Sequence, residues 1–443
     1  YIMNIKSQQA KNSFLFIFIY LCSLSLQPAF ATQSKEVITT DIWAATATVF
    51  KLVGEKAVNN VKLNWMQRED ADLYRICRDG NCIGEAKGNT YDDYNLKADK
   101  TFTYHVEAFK EGKKIATSAS QQATTFTPNG ETKVYDNLNG KYITKESAQK
   151  PQGMKIGELY FSYKMENVEK EVDGQTLKGW LATESFSPTG LNGSWSTSRE
   201  LAFYPNVKFE GIAFRYNAKT GKVVLSAHYE DQSGYVAAKI YLAQITPKGE
   251  LEVGTMERPL GYDSRDQSLF IDDDGTAYLL SATNMNRDIN IYKLDPSWTK
   301  PVLLVNTICK GLHRETPAII KKDGEYYFFS SKASGWYPSQ TMYTSAADLG
   351  GEWTPMREIG NNSTFDAQFN RISTVGKTCG VWSYHWGAQR KYKTPAGNFP
   401  RISIAAFNKG YASMDYYRYL EFSDKYGIIP VQNGKNLTLN VPV

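Results

Sequence analysis

Short stretches in which apolar and polar residues alternate recur along the chain, and turns rich in glycine separate them. Residues 61–65 and 102–109 show the alternation most clearly. A period of two belongs to a β-strand with one buried face, whereas a surface helix repeats every three to four residues. Because helical periodicity is scarce from end to end, the pattern predicts an all-β protein.

The first region with this pattern covers residues 36–128. Its short strands follow one another at the spacing expected of a β-sandwich, and the segment resembles a fibronectin type III module. Phe102 stands where that family usually has a tyrosine at a strand corner. Such modules act as spacers or docking surfaces, so we expect no active site here. Cys77 and Cys82 flank a turn and could form a disulfide or remain free thiols.

A different unit repeats over residues 130–443, in which a glycine turn leads into an apolar strand. The turns lie at Gly157, Gly221, Gly275, Gly324 and Gly376. A spacing of about fifty residues with this content is typical of β-propeller blades. Five copies therefore predict a five-bladed β-propeller. The strands at 401–407 and 416–422 are expected to complete the last blade and close the ring.

In four of these repeats a polar residue opens the apolar strand that precedes the turn. The residues are Glu210, Asp266, Glu315 and Gln368. If these strands line the propeller axis, their first side chains meet at one mouth of the central channel. Neighbouring carboxylates raise each other's pKa, and glycoside hydrolysis needs such a protonated carboxyl. The alternative is that the residues are solvated or pair with Arg265 and Arg314.

Several motifs in one order resemble glycoside hydrolase family 43, and more narrowly its branch that contains exo-β-1,3-galactanases. They cover residues 264–278, 314–318, 323–327, 334–338, 343–353 and 363–368. The resemblance implies an inverting enzyme in which Glu315 is the general acid. It further implies that Asp266 positions this acid and raises its pKa, and that Glu210 holds hydroxyls of the terminal galactose.

The group that activates water is the open point of this resemblance. Gln368 matches the position where the branch has Gln instead of a carboxylate base, and a neutral amide is a poor base. Substrate assistance or an unusual amide tautomer are the options that the family leaves. The wider family takes its base from the first blade, where this chain offers only Glu146 as a substitute.

Three further residues are candidates for contacts with the sugar, namely Arg265, Trp336 and Trp386. Either tryptophan could stack on a sugar ring or be packed between blades. The last blade reads Ser-Tyr-His-Trp-Gly at 383–387, where the branch usually has Gly-Asp-Arg-Trp. The Asp triplet at 272–274 is followed directly by glycine and a strand, which favours an acidic hairpin turn over a calcium loop.

Composition adds the cellular setting and excludes some partners. Residues 14–26 form an apolar run after two lysines, and 29–31 read Ala-Phe-Ala, which predicts an export signal at 1–31. The protein is therefore expected to be periplasmic, cell-surface or extracellular. The net charge of +5 is scattered, which disfavours nucleic-acid binding. No membrane span, metal spacing or cofactor motif is evident.

The sequence thus predicts a secreted exo-β-1,3-galactanase whose substrate is a galactan or arabinogalactan polysaccharide or oligosaccharide. One alternative is another family-43 exo-glycosidase, acting as β-galactosidase, β-xylosidase or α-L-arabinofuranosidase. The other is a propeller that binds glycans without cleaving them.

Overall fold

A computed structural model describes the chain in ten segments. They are residues 45–53, 58–97, 100–125, 134–142, 153–191, 193–231, 234–360, 366–388, 397–423 and 427–433. The predicted export signal, Glu146 and residues 363–365 lie outside the described residues. The described elements are strands and one 3₁₀ turn, Pro259–Gly261, which confirms the all-β prediction. None of the helical structure in these segments is long and apolar enough to cross a membrane.

The N-terminal strands form two sheets around a shared core. The strands are β1 (Ala45–Val53), β2 (Val58–Trp65), β3 (Leu73–Arg78), β4 (Asn81–Ala86), β5 (Thr90–Leu96), β6 (Thr101–Lys110), β7 (Lys113–Thr117) and β8 (Gln121–Thr124). One sheet contains β1, β2 and β5, and the other contains β4, β3, β6 and β7 with β8 on β6. Trp65, Tyr74 and Tyr104 are fully buried between them. Cys77 and Cys82 form a disulfide across the β3–β4 hairpin.

Two short strands, β9 (Val134–Asp136) and β10 (Lys141–Tyr142), lead into the repeats. Within the described residues, five four-stranded antiparallel sheets then follow one another along the chain. The first has β11 (Met154–Ile156), β12 (Leu159–Val172), β13 (Gln175–Ser187) and β14 (Arg199–Pro205). The second has β15 (Lys208–Asn217), β16 (Lys222–Glu230), β17 (Lys239–Ile245) and β18 (Leu251–Glu257). The third has β19 (Gln267–Ile271), β20 (Ala277–Thr283), β21 (Asp288–Leu294) and β22 (Pro301–Ile308).

The fourth sheet has β23 (Arg314–Lys322), β24 (Glu325–Lys332), β25 (Met342–Ala346) and β26 (Arg357–Glu358). The fifth has β27 (Gln368–Val375), β28 (Thr378–Trp386), β29 (Asn398–Asn408) and β30 (Tyr411–Tyr416). Each turn glycine of the predicted repeat joins the first two strands of one sheet and has a positive φ. That conformation favours glycine, which explains why the sequence marks these hairpins so regularly.

The last strands do not follow the prediction. Tyr411–Tyr416 ends the fifth sheet, but β31 (Tyr419–Ser423) pairs with β9 and with β32 (Gly427–Asn433), and β32 pairs in parallel with β1. The prediction that 416–422 completes the last sheet was therefore wrong. The fifth sheet already has four strands, and Leu420 is buried in a separate core with Tyr135, Ile402 and Ile428.

A buried amide fixes the point where the chain leaves the fifth sheet. The Asn137 side chain donates to the carbonyls of Ile402 and Tyr417 at 2.6 and 2.9 Å and accepts the Ile402 N–H at 2.8 Å. These contacts tie the segment after β9 to both β29 and the start of the final hairpin.

Replacing Asn137 by alanine should leave these backbone groups unsatisfied in a dry site. We expect the free energy of unfolding to fall by about 2–4 kcal/mol, measured by urea denaturation. Asn139→Ala is the matched control, since the exposed Asn139 donates to Asp136 Oδ2 at 2.8 Å. Equal losses in the two variants would contradict the role given to Asn137.

Candidate active site

The first strands of sheets two to five are joined side by side by polar contacts. Gln267 Nε2 donates to the Gly211 carbonyl at 3.0 Å, and Ser268 Oγ donates to the Pro317 carbonyl at 2.5 Å. The Thr316 hydroxyl lies 2.9 Å from the Phe369 carbonyl. These contacts link β15 to β19, β19 to β23, and β23 to β27. The starts of the four strands therefore lie next to one another.

Irregular pairing at these strand starts turns the polar side chains toward one place. The register shifts after Glu210, after Glu315 and after Phe369, each next to a predicted site residue. β-bulges of this kind redirect side chains beside active sites. In β23 the bulge includes Pro317, whose missing N–H is tolerated where the ladder is interrupted.

Glu315 has contacts that suit an acid. Gln368 Nε2 donates to its Oε1, Asn286 Nδ2 lies 3.4 Å from its Oε2, and the Ser334 N–H also donates to it. Burial and then the charge of Asp266 raise the pKa of Glu315 to about 7. The carboxyl is therefore largely protonated just below neutral pH, as a general acid requires.

Asp266 lies directly before β19 and accepts the Thr316 N–H at 3.0 Å. Burial raises the pKa of this carboxyl, the Thr316 N–H opposes the rise, and the charge of Glu210 adds to it. Thr316 has a φ of 52°, which is unusual for a β-branched residue before proline. Asp266 thus stabilises the strained backbone next to Glu315 and also acts on that residue by its charge.

Glu210 is held as an anion. Burial alone would raise its pKa, but hydrogen bonds from His228, Lys208 and Tyr235 lower it to about 2. The Lys208 ammonium and the Tyr235 hydroxyl each lie 2.8 Å from Oε1, and His228 Nδ1 lies 3.5 Å from Oε2. An ionised carboxylate accepts hydrogen bonds only, so Glu210 suits a role as acceptor for ligand hydroxyls.

Glu210 is supported by a buried pair, His228 and Glu230, that was not predicted from the sequence. His228 and Glu230 are almost completely buried, and His228 Nε2 lies 2.7 Å from Glu230 Oε1. Glu230 also accepts the Ala238 N–H at 3.1 Å, which fixes the loop that carries Tyr235. A signal was available, because Ser226, His228 and Glu230 recur every second residue in β16 and so share one face of the strand.

The two arginines direct their guanidinium groups at other partners than the adjacent carboxylates. Arg314 is buried and donates to Ser330 Oγ at 3.0 Å and to the carbonyls of Ser330 and Gln340. Arg265 donates to the Tyr235 carbonyl at 3.2 Å, and its guanidinium lies 5.6 Å from the centre of the Tyr235 ring. Neither makes an ion pair with Asp266 or Glu315 within the described residues. Arg265 therefore holds a loop of the site.

The two tryptophans lie in different settings. Trp336 is 49% exposed, with a φ of 71°, two residues after the Ser334 N–H that contacts Glu315. Trp386 is partly buried, its Nε1–H donates to Gln368 Oε1 at 3.0 Å, and its ring lies 4.7 Å from that of Tyr384. Trp336 is thus free to meet a ligand, whereas Trp386 is engaged with Gln368.

Buried polar atoms and exposed apolar side chains mark this region as a ligand site. Buried side-chain atoms without a hydrogen-bond partner in the described part of the chain include Arg265 Nε, Gln267 Oε1 and Asn286 Oδ1. Exposed apolar residues in the adjoining loops are Tyr235, Tyr262, Met285, Leu312, Trp336 and Tyr337. Hydroxyl groups can satisfy the first set, and the apolar faces of a sugar can pack on the second.

The cluster of His, Cys, Asp and Glu in the described segments that is tight enough for a metal ion contains Cys77, Cys82 and Glu107. Its two sulfurs form the disulfide, so they are not available as thiolate ligands. The Asp triplet lies in the β19–β20 hairpin, where Lys321 pairs with Asp272 at 2.8 Å.

A strained turn places Asn286 beside Glu315. Asn284, Met285 and Asn286 have φ values of 50°, 57° and 61°, a left-handed turn that is costly for residues other than glycine. The Asp263 carboxylate accepts the Asn284 and Met285 N–H groups at 2.7 and 3.0 Å. Burial raises the pKa of Asp263, but these bonds outweigh it and lower the value overall.

Asp263→Ala should remove the bonds that hold this turn. We expect the free energy of unfolding to fall by about 2 kcal/mol, and the amide protons of 284–286 to exchange faster with solvent. Asp273→Ala is the control, because its 83% exposed side chain makes only a surface ion pair with Lys321. An unchanged exchange rate in Asp263→Ala would show that the turn keeps its conformation without the hydrogen bonds to Asp263.

Part of the chain matches one protein family, and its structure is similar to solved structures of exo-β-1,3-galactanases. Residues 251–381 match the model of glycosyl hydrolases family 43. An exo-β-1,3-galactanase from Clostridium thermocellum is 26% identical, with a TM-score of 0.52 over 68% of each chain. One from Phanerochaete chrysosporium, solved with β-1,3-galactotriose, is 23% identical, with a TM-score of 0.50 over 67% of this chain and 68% of its own. No curated protein sequence matches the chain.

Proposed function

Because the chain carries a domain of glycosyl hydrolases family 43 and is a glycoside hydrolase, we propose that it is an exo-β-1,3-galactanase. It would release terminal galactose from β-1,3-galactan or arabinogalactan with inversion of configuration. Support comes from the likeness to the exo-β-1,3-galactanase from Clostridium thermocellum. We further propose that the five sheets close into a five-bladed propeller and that the protein is exported after cleavage near Ala31. The N-terminal sheets would form a fibronectin type III-like module.

The observation that carries the proposal is the burial of Glu315 beside Asp266, which raises the pKa of Glu315. Its pKa of about 7 lets it donate a proton to the glycosidic oxygen near neutral pH. Asp266 would keep that pKa high and hold the strand start in place. Glu210, with a pKa of about 2, would stay ionised and accept hydroxyls of the terminal sugar. Two carboxyls with such different pKa values divide the work of acid and acceptor.

Gln368 would face the attacking water, although it is not placed as a base. An inverting enzyme leaves about 6.5–9.5 Å between its two carboxyls to admit a water molecule. Here the Gln368 amide contacts Glu315 directly, which leaves no such gap between these two groups. The water would be activated either by the substrate itself or by an amide tautomer of Gln368.

This direct contact also favours a second candidate function. A propeller that binds glycans without cleaving them would need Glu210 and exposed aromatic side chains such as Tyr235 and Trp336, but no catalytic base. Another exo-glycosidase specificity within family 43 is the third reading, since the residues at 383–387 differ from the galactanase branch.

Glu315→Gln should lower galactose release from β-1,3-galactan by about a thousandfold, because an amide cannot protonate the leaving oxygen. Galactose is measured by anion-exchange chromatography, and the anomer formed first is read by proton NMR. Glu325→Gln, at the β23–β24 turn, is the matched control and should keep full activity. If the unaltered protein binds galactan but releases no sugar, the binding function replaces the enzyme.

The pH profile tests the pairing of Asp266 with Glu315. Activity of the unaltered enzyme should fall as pH rises above about 7, since the acid is then deprotonated. Asp266→Asn removes a negative charge that raises the pKa of Glu315, so the basic limb should move to lower pH. The ratio kcat/KM is measured from pH 4 to 9. A basic limb that stays in place would show that Asp266 does not set this pKa.

A further inference from the structure

Trp386 and Gln368 are neighbours at one end of the fifth sheet. Gln368 opens β27 and pairs with Tyr384 on β28, and Trp386 ends β28 two residues later. The Tyr384 ring packs 4.7 Å from the Trp386 ring, which holds the indole with its N–H 3.0 Å from Gln368 Oε1. Gln368 is 5% exposed, and protein groups contact both ends of its amide.

The indole decides which way round the Gln368 amide sits. An indole N–H can only donate a hydrogen bond. It therefore bonds to the amide oxygen and cannot pair with the amide NH₂, which is also a donor. With Oε1 toward Trp386, the NH₂ group faces Glu315 Oε1, and the Lys332 carbonyl and Ser334 Oγ lie 3.5 and 3.4 Å from it. The reversed amide would place two donors against each other at Trp386.

This orientation selects one oxygen of Glu315 for the proton. Glu315 Oε1 accepts an N–H from Gln368, whether or not the carboxyl is ionised. The proton of the neutral acid must therefore sit on Oε2, which lies 3.4 Å from Asn286 Nδ2. That distance is longer than an ordinary hydrogen bond, which leaves the Oε2 proton available for transfer.

We propose that Trp386 is a positioning residue that acts through the Gln368 amide to fix the transferable proton on Oε2 of Glu315. The inference rests on the proposed function, since it concerns the same acid. It differs from the stacking role expected from the sequence, because the ring contributes its N–H and touches no reacting atom.

Trp386→Phe keeps an aromatic ring but loses the N–H, so the direction in which the pKa of Glu315 changes can be predicted. Besides Gln368, the groups that act on Glu315 include Asp266, Arg314, Asn286 and the Ser334 N–H, and Trp386→Phe replaces none of them. The freed amide can reverse and accept a proton from neutral Glu315. Because this favours the protonated form, the pKa of Glu315 rises.

We expect Trp386→Phe to lower kcat about tenfold, with KM changed less than twofold, and to move the basic limb of kcat up by about one pH unit. Trp382→Phe is the matched control on the same strand and should leave the limb in place. In a Gln368→Leu background, Trp386→Phe should have no further effect, because the two residues would act as one unit. An unmoved limb, additive effects in the double variant, or a raised KM at constant kcat would each overturn the proposal.

A measurement without turnover separates this inference from the proposed function. Carbon-13 NMR of labelled glutamate follows the titration of the Glu315 carboxyl, assigned by the signal lost in Glu315→Gln. In Trp386→Phe the midpoint should rise, even if no galactan is cleaved. Gln368→Leu removes the hydrogen bond from Gln368 to Glu315 directly and should raise the midpoint as well. This variant replaces Trp386→Phe in the test if Trp386→Phe does not fold. Midpoints equal to that of the unaltered protein would refute the role of Trp386.

Discussion

The site depends on one contact, the bond from the Thr316 N–H to the Asp266 carboxylate. It joins the third and fourth sheets at the point where both strands begin. Thr316 is in a left-handed conformation that a β-branched residue before proline rarely takes. Because Asp266 and the Thr316 hydroxyl hold this backbone from both sides, Glu315 turns toward Gln368 instead of along its strand.

The different pKa values of Glu315 and Glu210 follow from whether a cation contacts each carboxylate. Arg314 is adjacent to Glu315 in sequence, yet its guanidinium is directed at Ser330 and Gln340. Glu315 is therefore buried without a cation in contact, and its pKa rises. Glu210 is also partly buried, but Lys208, Tyr235 and His228 surround it, and its pKa falls. The same side-chain type thus becomes an acid in one place and an anion in the other.

Rigid supports lie behind each of these residues. The buried His228–Glu230 pair supports Glu210 and the Tyr235 loop, Asp263 holds the turn that carries Asn286, and Trp386 engages Gln368. All three supports come from strand ends or from loops next to them. A site built on many short strands needs such links, since no single element contributes more than one or two of its side chains.

The sequence by itself determined the strands, the spacing of the repeat and the polar residue at the start of four strands. These are local properties, because alternation sets the buried face of a strand and a positive φ demands glycine in a hairpin. It also indicated the family through motifs around Asp266 and Glu315. Only the tertiary structure decided that 419–423 leaves the fifth sheet, that Arg265 and Arg314 turn to carbonyls, and that His228 and Trp386 support the site. Those outcomes depend on hydrogen bonds and strand pairings between residues that are distant in sequence. The alternation along one strand does not indicate which distant group will lie opposite.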